Sequence, residues 1–167
     1  MPEQIPVISF IKLPHSEMDG NFTSKILKSA KNKLSNTSTE EGYILDVVNV
    51  DNILENKIKN NSVVFKVQLK TLCIKLKKDL VVTASVSLIF PHGIFADLYS
   101  VKFFIHEKSL NKYEYDETEK NFKKKTKAKT RPKNAFNNSI CIGDDLKIKI
   151  TDLKFENGNY RCIADLV

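Results

Sequence analysis

No stretch of this 167-residue sequence approaches the ~20 consecutive apolar residues that a membrane-spanning helix needs, so no membrane is expected among its partners. The N-terminus does not set a basic region before an apolar one, so no secretory signal is expected. Cysteine is scarce: Cys73, Cys141 and Cys162 are odd in number, scattered, and form no CxxC pair. That pattern supports neither a disulfide framework nor a zinc-type site, and it predicts reduced, mostly buried thiols in an intracellular compartment. The three histidines, His15, His92 and His106, stand in neither an HExxH motif nor a nucleophile–base arrangement. P-loop and GxGxxG motifs are missing. The adjacent acids Asp144-Asp145 follow Gly143 and precede a strand pattern, so they shape a turn more readily than they make an acid–base pair. Without a convergent set of reactive groups, no catalytic residue, metal or cofactor is expected. Neither a fixed-period repeat nor a glycine-rich linker appears, and the latter absence predicts domains packed together instead of tethered.

What one segment lacks is negative charge. Lys120, Lys123, Lys124, Lys125, Lys127, Lys129, Arg131 and Lys133 follow one another with no acid between them. Taking these eight from the 27 basic residues leaves 19 against 20 acidic ones, so the net charge of +7 belongs to this run and the remainder is close to neutral. A basic run of this kind serves as a solvated loop, a contact for a polyanion or a nuclear-localisation signal.

The first half reads as strand, helix, strand, strand. Val7 to Leu13 is a short apolar strand between prolines, and Asp19-Gly20-Asn21 offers caps for a helix. Phe22, Ile26, Leu27, Ala30 and Leu34 fall at helical spacing, and Asn36 to Thr39 ends that helix. Gly42 to Val50 is rich in β-branched residues and reads as a buried strand, which the chain leaves at Asp51-Asn52-Ile53. After a turn at Asn60-Asn61-Ser62, Val63, Phe65, Val67 and Leu69 alternate with Val64, Lys66, Gln68 and Lys70 in a long strand. The result is a compact α+β unit over residues 1–77.

Residues 78–167 carry five short strand patterns on the spacing of a Greek-key OB-fold barrel. They are VVTASVSLIF, IFADLY after Pro91-His92-Gly93, VKFFIHEKSL, LKIKITDLKF after Gly143-Asp144-Asp145, and YRCIADLV after Glu156-Asn157-Gly158-Asn159. A basic insert at about 115–138 separates the third strand from the fourth. Barrels of this type stack bases on outward side chains of their second and third strands. His92, Phe95, Phe103 or Phe104, and His106 lie in that region. Strand alternation sends one of Phe103 and Phe104 into the core, and Ile94 and Phe95 cannot both point outward. Lys102, Lys108, Lys112 and the run Lys123, Lys124, Lys125, Lys127, Lys129 and Arg131 are the candidate phosphate contacts.

These residues resemble the RNA-binding domain named after ribosomal protein S-one. His92, Gly93 and Phe95 stand where that family has an aromatic, a glycine and a second aromatic, and Phe104 and His106 match its phenylalanine-rich third strand ending in histidine. Gly143 and Asp144, followed by Leu146, Lys147, Ile148, Lys149 and Ile150, match its later glycine–aspartate and alternating strand. Lys154 and Tyr160 occupy the neighbourhood where an acid and an arginine often complete the family's RNA site. In the first half, GYILDVVNVDNI and SVVFKVQLKTLCIKLKKD look like the tip domain of a polymerase stalk subunit. That family comprises the seventh subunit of eukaryotic RNA polymerase II and its archaeal counterpart.

The resemblance implies a non-catalytic subunit in which an α+β tip domain anchors to the large subunits of the polymerase core. The OB-fold barrel would then meet nascent single-stranded RNA during transcription. It also implies a fourth-subunit-like stalk partner, where the polymerase has one; because a lasting interface needs a desolvated core, the docking is expected through apolar groups around Asn52, Ile53 and Leu54 and at the start of the chain. Enrichment in Lys, Asn and Ile suits an AT-rich genome, such as that of a large DNA virus with its own polymerase. The expected location is then the nucleus of a cell, or the host cytoplasm or virion for a virus. A free-standing single-stranded RNA-binding protein of translation or RNA decay is the alternative. An RNA-processing enzyme lacks its catalytic constellation.

Overall fold

A computed structural model describes residues 2–125 and 139–167. The described chain is mostly β-structure with one α-helix, and it divides into two compact units, Met1–Leu76 and Lys77–Val167.

The first unit is a four-stranded antiparallel sheet with a helix against one face. Its elements are β1 (Glu3–Pro14), α1 (Phe22–Leu34), β2 (Thr37–Thr39), β3 (Gly42–Lys59) and β4 (Ser62–Ile74), in sheet order β1-β4-β3-β2. Alternation along β4 sends Val63, Phe65, Val67 and Leu69 into the core with Ile11 and Leu13 of β1. Helix α1 lays Ile26 and Ala30 on that face, and its Phe22 ring stacks on Phe65 at 5.9 Å. Asn21 occupies the N-cap without a side-chain capping bond. Instead Asp19 shapes the entry, its Oδ1 accepting from the Asn21 N–H at 3.1 Å and its Oδ2 pairing with Lys25 Nζ at 2.7 Å.

The strand expected to end near Val50 continues to Lys59, and the reason lies in its register. Opposite β4 it steps at Ile44/Asp46, Val47/Asn49, Val50/Asn52 and Ile53/Glu55, so three residues of β3 repeatedly match two of β4. The sequence carries that period as the triplets ILD, VVN, VDN and ILE. The first member of each triplet faces a core residue of β4: Ile44 opposite Cys73, Val47 opposite Thr71, Val50 opposite Leu69, and Ile53 opposite Val67. Each extra residue is left unpaired, and repeated bulges increase the local twist. A two-period reading sees the strand dissolve at Asp51, where the three-period pattern runs on. Thr37–Thr39, expected only to end the helix, pairs with Gly42–Ile44 as the edge strand β2.

The second unit is a closed five-stranded barrel, compatible with an OB-type fold. It is built from β5 (Val81–Phe90), β6 (Gly93–Leu98), β7 (Val101–His106), and later β11 (Asp145–Glu156) and β12 (Asn159–Leu166). The closed order is β11-β12-β7-β6-β5, with β12 parallel to β7 and the other pairs antiparallel. Its interior takes alternate residues from every strand: Ala84 and Val86, Ile94 and Ala96, Phe103 and Ile105, Ile148 and Ile150, Cys162 and Ala164. Phe103, fully buried, has Ala96 and Cys162 as its lateral neighbours, so small side chains make room for the largest one.

The insert between β7 and β11 contains structure that the lysine run does not announce. After a 3-10 turn at Glu107–Leu110, β8 (Tyr113–Asp116) and β9 (Asn121–Lys124) form a hairpin, joined by β10 (Ser139–Ile140). Phe122 and Ile140 are buried there, and Tyr115 packs on Phe122 at 5.5 Å. An aromatic core residue within the run is what turns its start into a strand.

Candidate nucleic-acid interface

Two side-chain rows cross the outside of the barrel. In a sheet, residues in lateral register share a face, and the next row on that face lies two residues, roughly 6.5–7 Å, further along each strand. One row runs Leu88, Phe95, Phe104, Ile163 across β5, β6, β7 and β12. The neighbouring row places Lys102 of β7 beside Arg161 of β12, and Arg161 beside Lys154 of β11. An apolar stripe, half of it aromatic, therefore lies against a stripe of three cations that ends at Asp97 of β6, the lateral neighbour of Lys102.

The rings touch. Phe95 and Phe104 have centroids 5.0 Å apart and are tilted by 45°, Phe90 meets Phe95 edge-on at 5.8 Å, and His106 meets Phe104 edge-on at 6.0 Å. Alternation decides the ambiguous pairs: Phe103 and Ile94 are buried, while Phe104 and Phe95 are partly open. Gly93 lets the cluster form, because its backbone, at φ +155°, runs beneath the Phe104 ring.

A cleft of about 800 Å³ opens over this surface, lined by Phe95, Phe104 and Ile163 on its apolar side and by Lys102, Lys154 and Arg161 on its basic side. Acids border it as well. Glu156 pairs with Lys154 and lies 3.8 Å from Arg161, and Asp152 stands beside Ile163. The Lys154 and Arg161 side chains are 73% and 80% exposed, so water screens these pairs and both cations remain available to a polyanion.

The sequence-predicted residues do not all come together. Phe95, Lys102, Phe104 and His106 come together as described, and Lys102 is solvent-exposed. His106 Nδ1 accepts a hydrogen bond from the Lys108 N–H at 3.1 Å, which leaves its Nε2 edge as the donor when the ring is neutral. His92 lies exposed in the β5–β6 turn, where its carbonyl accepts from the Glu107 N–H at 2.9 Å.

Lys108, Lys124 and Lys125 are exposed on the insert side. Lys123, half-buried, pairs with Asp116 at 2.6 Å and Glu119 at 3.2 Å. Asp116 Oδ1 accepts the N–H groups of Thr118 and Glu119, and that turn aims Oδ2 at the lysine. The Lys123 hydrogen bond, followed by those two N–H groups, holds the Asp116 carboxyl down at about 2. Lys127, Lys129 and Arg131 lie outside the described residues.

The expected docking residues Asn52, Ile53 and Leu54 are all exposed on β3, Ile53 at 38% and Leu54 at 44%. Leu54 occupies the last of the four bulges.

Arg161, Ile163 and Phe90 were missed by sequence reasoning. The alternation of β12 marks Arg161 and Ile163 as outward, but only the parallel pairing with β7 shows what they stand beside. Among the described residues, no group of acids, histidines and cysteines is arranged to hold a metal ion, and no helix is long and apolar enough to cross a membrane. Cys73 and Cys162 are free thiols, pushed up to about 11, chiefly by burial, and so unsuited to act as nucleophiles near neutral pH.

No protein-family model matches the chain, and a search of curated proteins finds no match either.

Proposed function

We propose that the protein is a non-catalytic stalk subunit of a multisubunit DNA-directed RNA polymerase, in which the barrel binds emerging single-stranded RNA. The observation that carries the RNA part is the aromatic row of Phe95 and Phe104 lying against the cation row of Lys102, Arg161 and Lys154. Each base stacked on a ring is worth about 1–3 kcal/mol whatever its identity, and each phosphate neutralised releases counterions. Such a surface binds RNA weakly and with tolerance of sequence, which suits a transcript that must keep moving. The acids around the cleft leave no uniformly positive trough, so stacking supplies more of the affinity than charge does.

The stalk part rests on the order of a helix-covered sheet followed by an OB-type, S-one-like barrel, and on the resemblance of Gly42–Ile53 to a stalk tip domain. In this reading the first unit is the tip. It docks on the large polymerase subunits through Ile53 and Leu54, whose exposed apolar side chains supply what a desolvated interface core needs. Tagged protein from its native cell or infected host is expected to retain large polymerase subunits at high salt. The double variant Ile53→Asp, Leu54→Asp is expected to release them without loss of RNA binding. Retention of no large subunit by the unaltered chain would refute the stalk assignment.

One observation favours a second reading, a free-standing RNA-binding protein: every residue of the two rows lies in the second unit, so the surface needs nothing from the first. That protein would lose its partners as salt rises, because they would be bridged by RNA.

A further inference from the structure

We propose that the hairpin inserted between β7 and β11 lengthens the RNA track, so that the strand passes from Phe95 and Phe104 across the β5–β6 turn and onto Tyr113 of β8. This rests on RNA binding by the barrel and names a second stretch of the same ligand's path.

The two places are joined by built structure. The ring cluster ends at His106, 6.0 Å from Phe104. The following 3-10 turn is tied to the barrel rim by the Glu107 N–H to His92 carbonyl bond of 2.9 Å. Beyond the rim, a cleft of about 270 Å³ lies between Pro91, Leu110 and the hairpin residues Tyr113 and Tyr115, with Lys108 and Lys125 on its border. A second cleft of about 210 Å³, bordered by Lys112 and Lys124, lines Tyr113 from another side. Tyr113 thus forms a ridge between two clefts, each with a pair of lysines. The Lys125 N–H to Lys112 carbonyl bond of 2.8 Å holds the hairpin base closed and keeps these lysines together.

Charge favours a polyanion. Asp116 and Glu119 are engaged by Lys123, which leaves four lysines around the ridge against Glu107 and Glu114. Both clefts fall below the roughly 300–1,000 Å³ of enclosed small-molecule sites, and an aromatic ridge between shallow basic clefts is the form that a passing base and its phosphates require.

The test uses the full chain and fluorescently labelled oligouridylates of about 4 and about 12 nucleotides, within the range of site sizes seen for one barrel. Tyr113→Ala is expected to weaken the longer oligonucleotide by about 5- to 150-fold, the loss of one stacked base, while the shorter one binds as before. Lys108→Gln with Lys125→Gln changes exposed side chains only. It is expected to flatten the salt dependence of the longer oligonucleotide by about 1.4 in log–log slope, about 0.7 per phosphate contact.

If both variants bind both lengths like the unaltered protein while Phe104→Ala weakens both, the hairpin lies off the track and this proposal is overturned, with the barrel reading intact. If Phe104→Ala changes neither length, RNA binding by the barrel itself fails.

Discussion

The Phe104 ring lies directly over Gly93. A Cβ added to Gly93 would come within 3.0 Å of two ring carbons of Phe104 and would overlap the carbonyl oxygen of Ile105. The glycine is therefore a platform for the ring as well as a turn residue. Its φ of +155° adds a second reason, because side chains with a Cβ rarely adopt that backbone. Gly93→Ala is expected to cost about 1–3 kcal/mol through overpacking. It should also lower RNA affinity by displacing Phe104. Thermal melting and an oligouridylate titration measure the two effects, and an unshifted melting temperature would show that the ring, the Ile105 carbonyl and the backbone at position 93 all adjust without cost.

Phe103 and Phe104 are neighbours with opposite duties. Phe103→Ala empties the centre of the barrel and is expected to cost about 3–5 kcal/mol. Phe104→Ala removes a partly exposed ring, with a smaller stability loss and a fall in RNA affinity of about 1–3 kcal/mol. Denaturant unfolding beside RNA titration separates them. Equal destabilisation by both would place Phe104 in the core.

The cation row predicts salt dependence. Arg161→Gln and Lys154→Gln should each reduce the log–log slope of RNA affinity against salt by about 0.7, and should act alike on different sequences. Because Glu156 faces both cations, Glu156→Gln is expected to raise affinity modestly. A steeper slope in either cation variant would contradict phosphate contact at this row.

The Asp116–Lys123 pair predicts acid sensitivity of the insert. A carboxyl near 2 in the folded chain, against an ordinary value of about 3.9, contributes stability present above about pH 4 and lost as pH falls toward 2. NMR titration of the Asp116 side chain should show the low midpoint, and Lys123→Gln should move it upward. An unchanged midpoint in that variant would mean that the Thr118 and Glu119 N–H groups alone hold the carboxylate.

Much of the barrel was legible because alternation is a local property. The runs around Ala84–Val86, Ile148–Ile150 and Cys162–Ala164 announce one buried face wherever the chain goes. The helix over Phe22–Leu34 was legible for the same reason, since Phe22, Ile26 and Ala30 fix a stripe by spacing alone. The extension of β3 was not legible to a two-residue period, although the triplets ILD, VVN, VDN and ILE spell it out at a period of three. The hairpin of the insert was hidden because its strands are short and mostly polar, YEYD and NFKK, while Phe122 and its partner Tyr115 decide its fold.

By itself the sequence determined that each barrel strand has one inward face, where the helix lies, and that positive charge is concentrated in one segment, but not which of Phe103 and Phe104, or of Ile94 and Phe95, turns inward. The tertiary structure alone decided which of the outward residues meet. Lys102, Arg161 and Lys154 share a row only because β12 runs parallel beside β7 and antiparallel beside β11. Ring-to-ring contact among Phe90, Phe95 and Phe104 likewise follows from strand register. Register between distant strands is set by hydrogen bonding and closure of the whole barrel, and no local period encodes it.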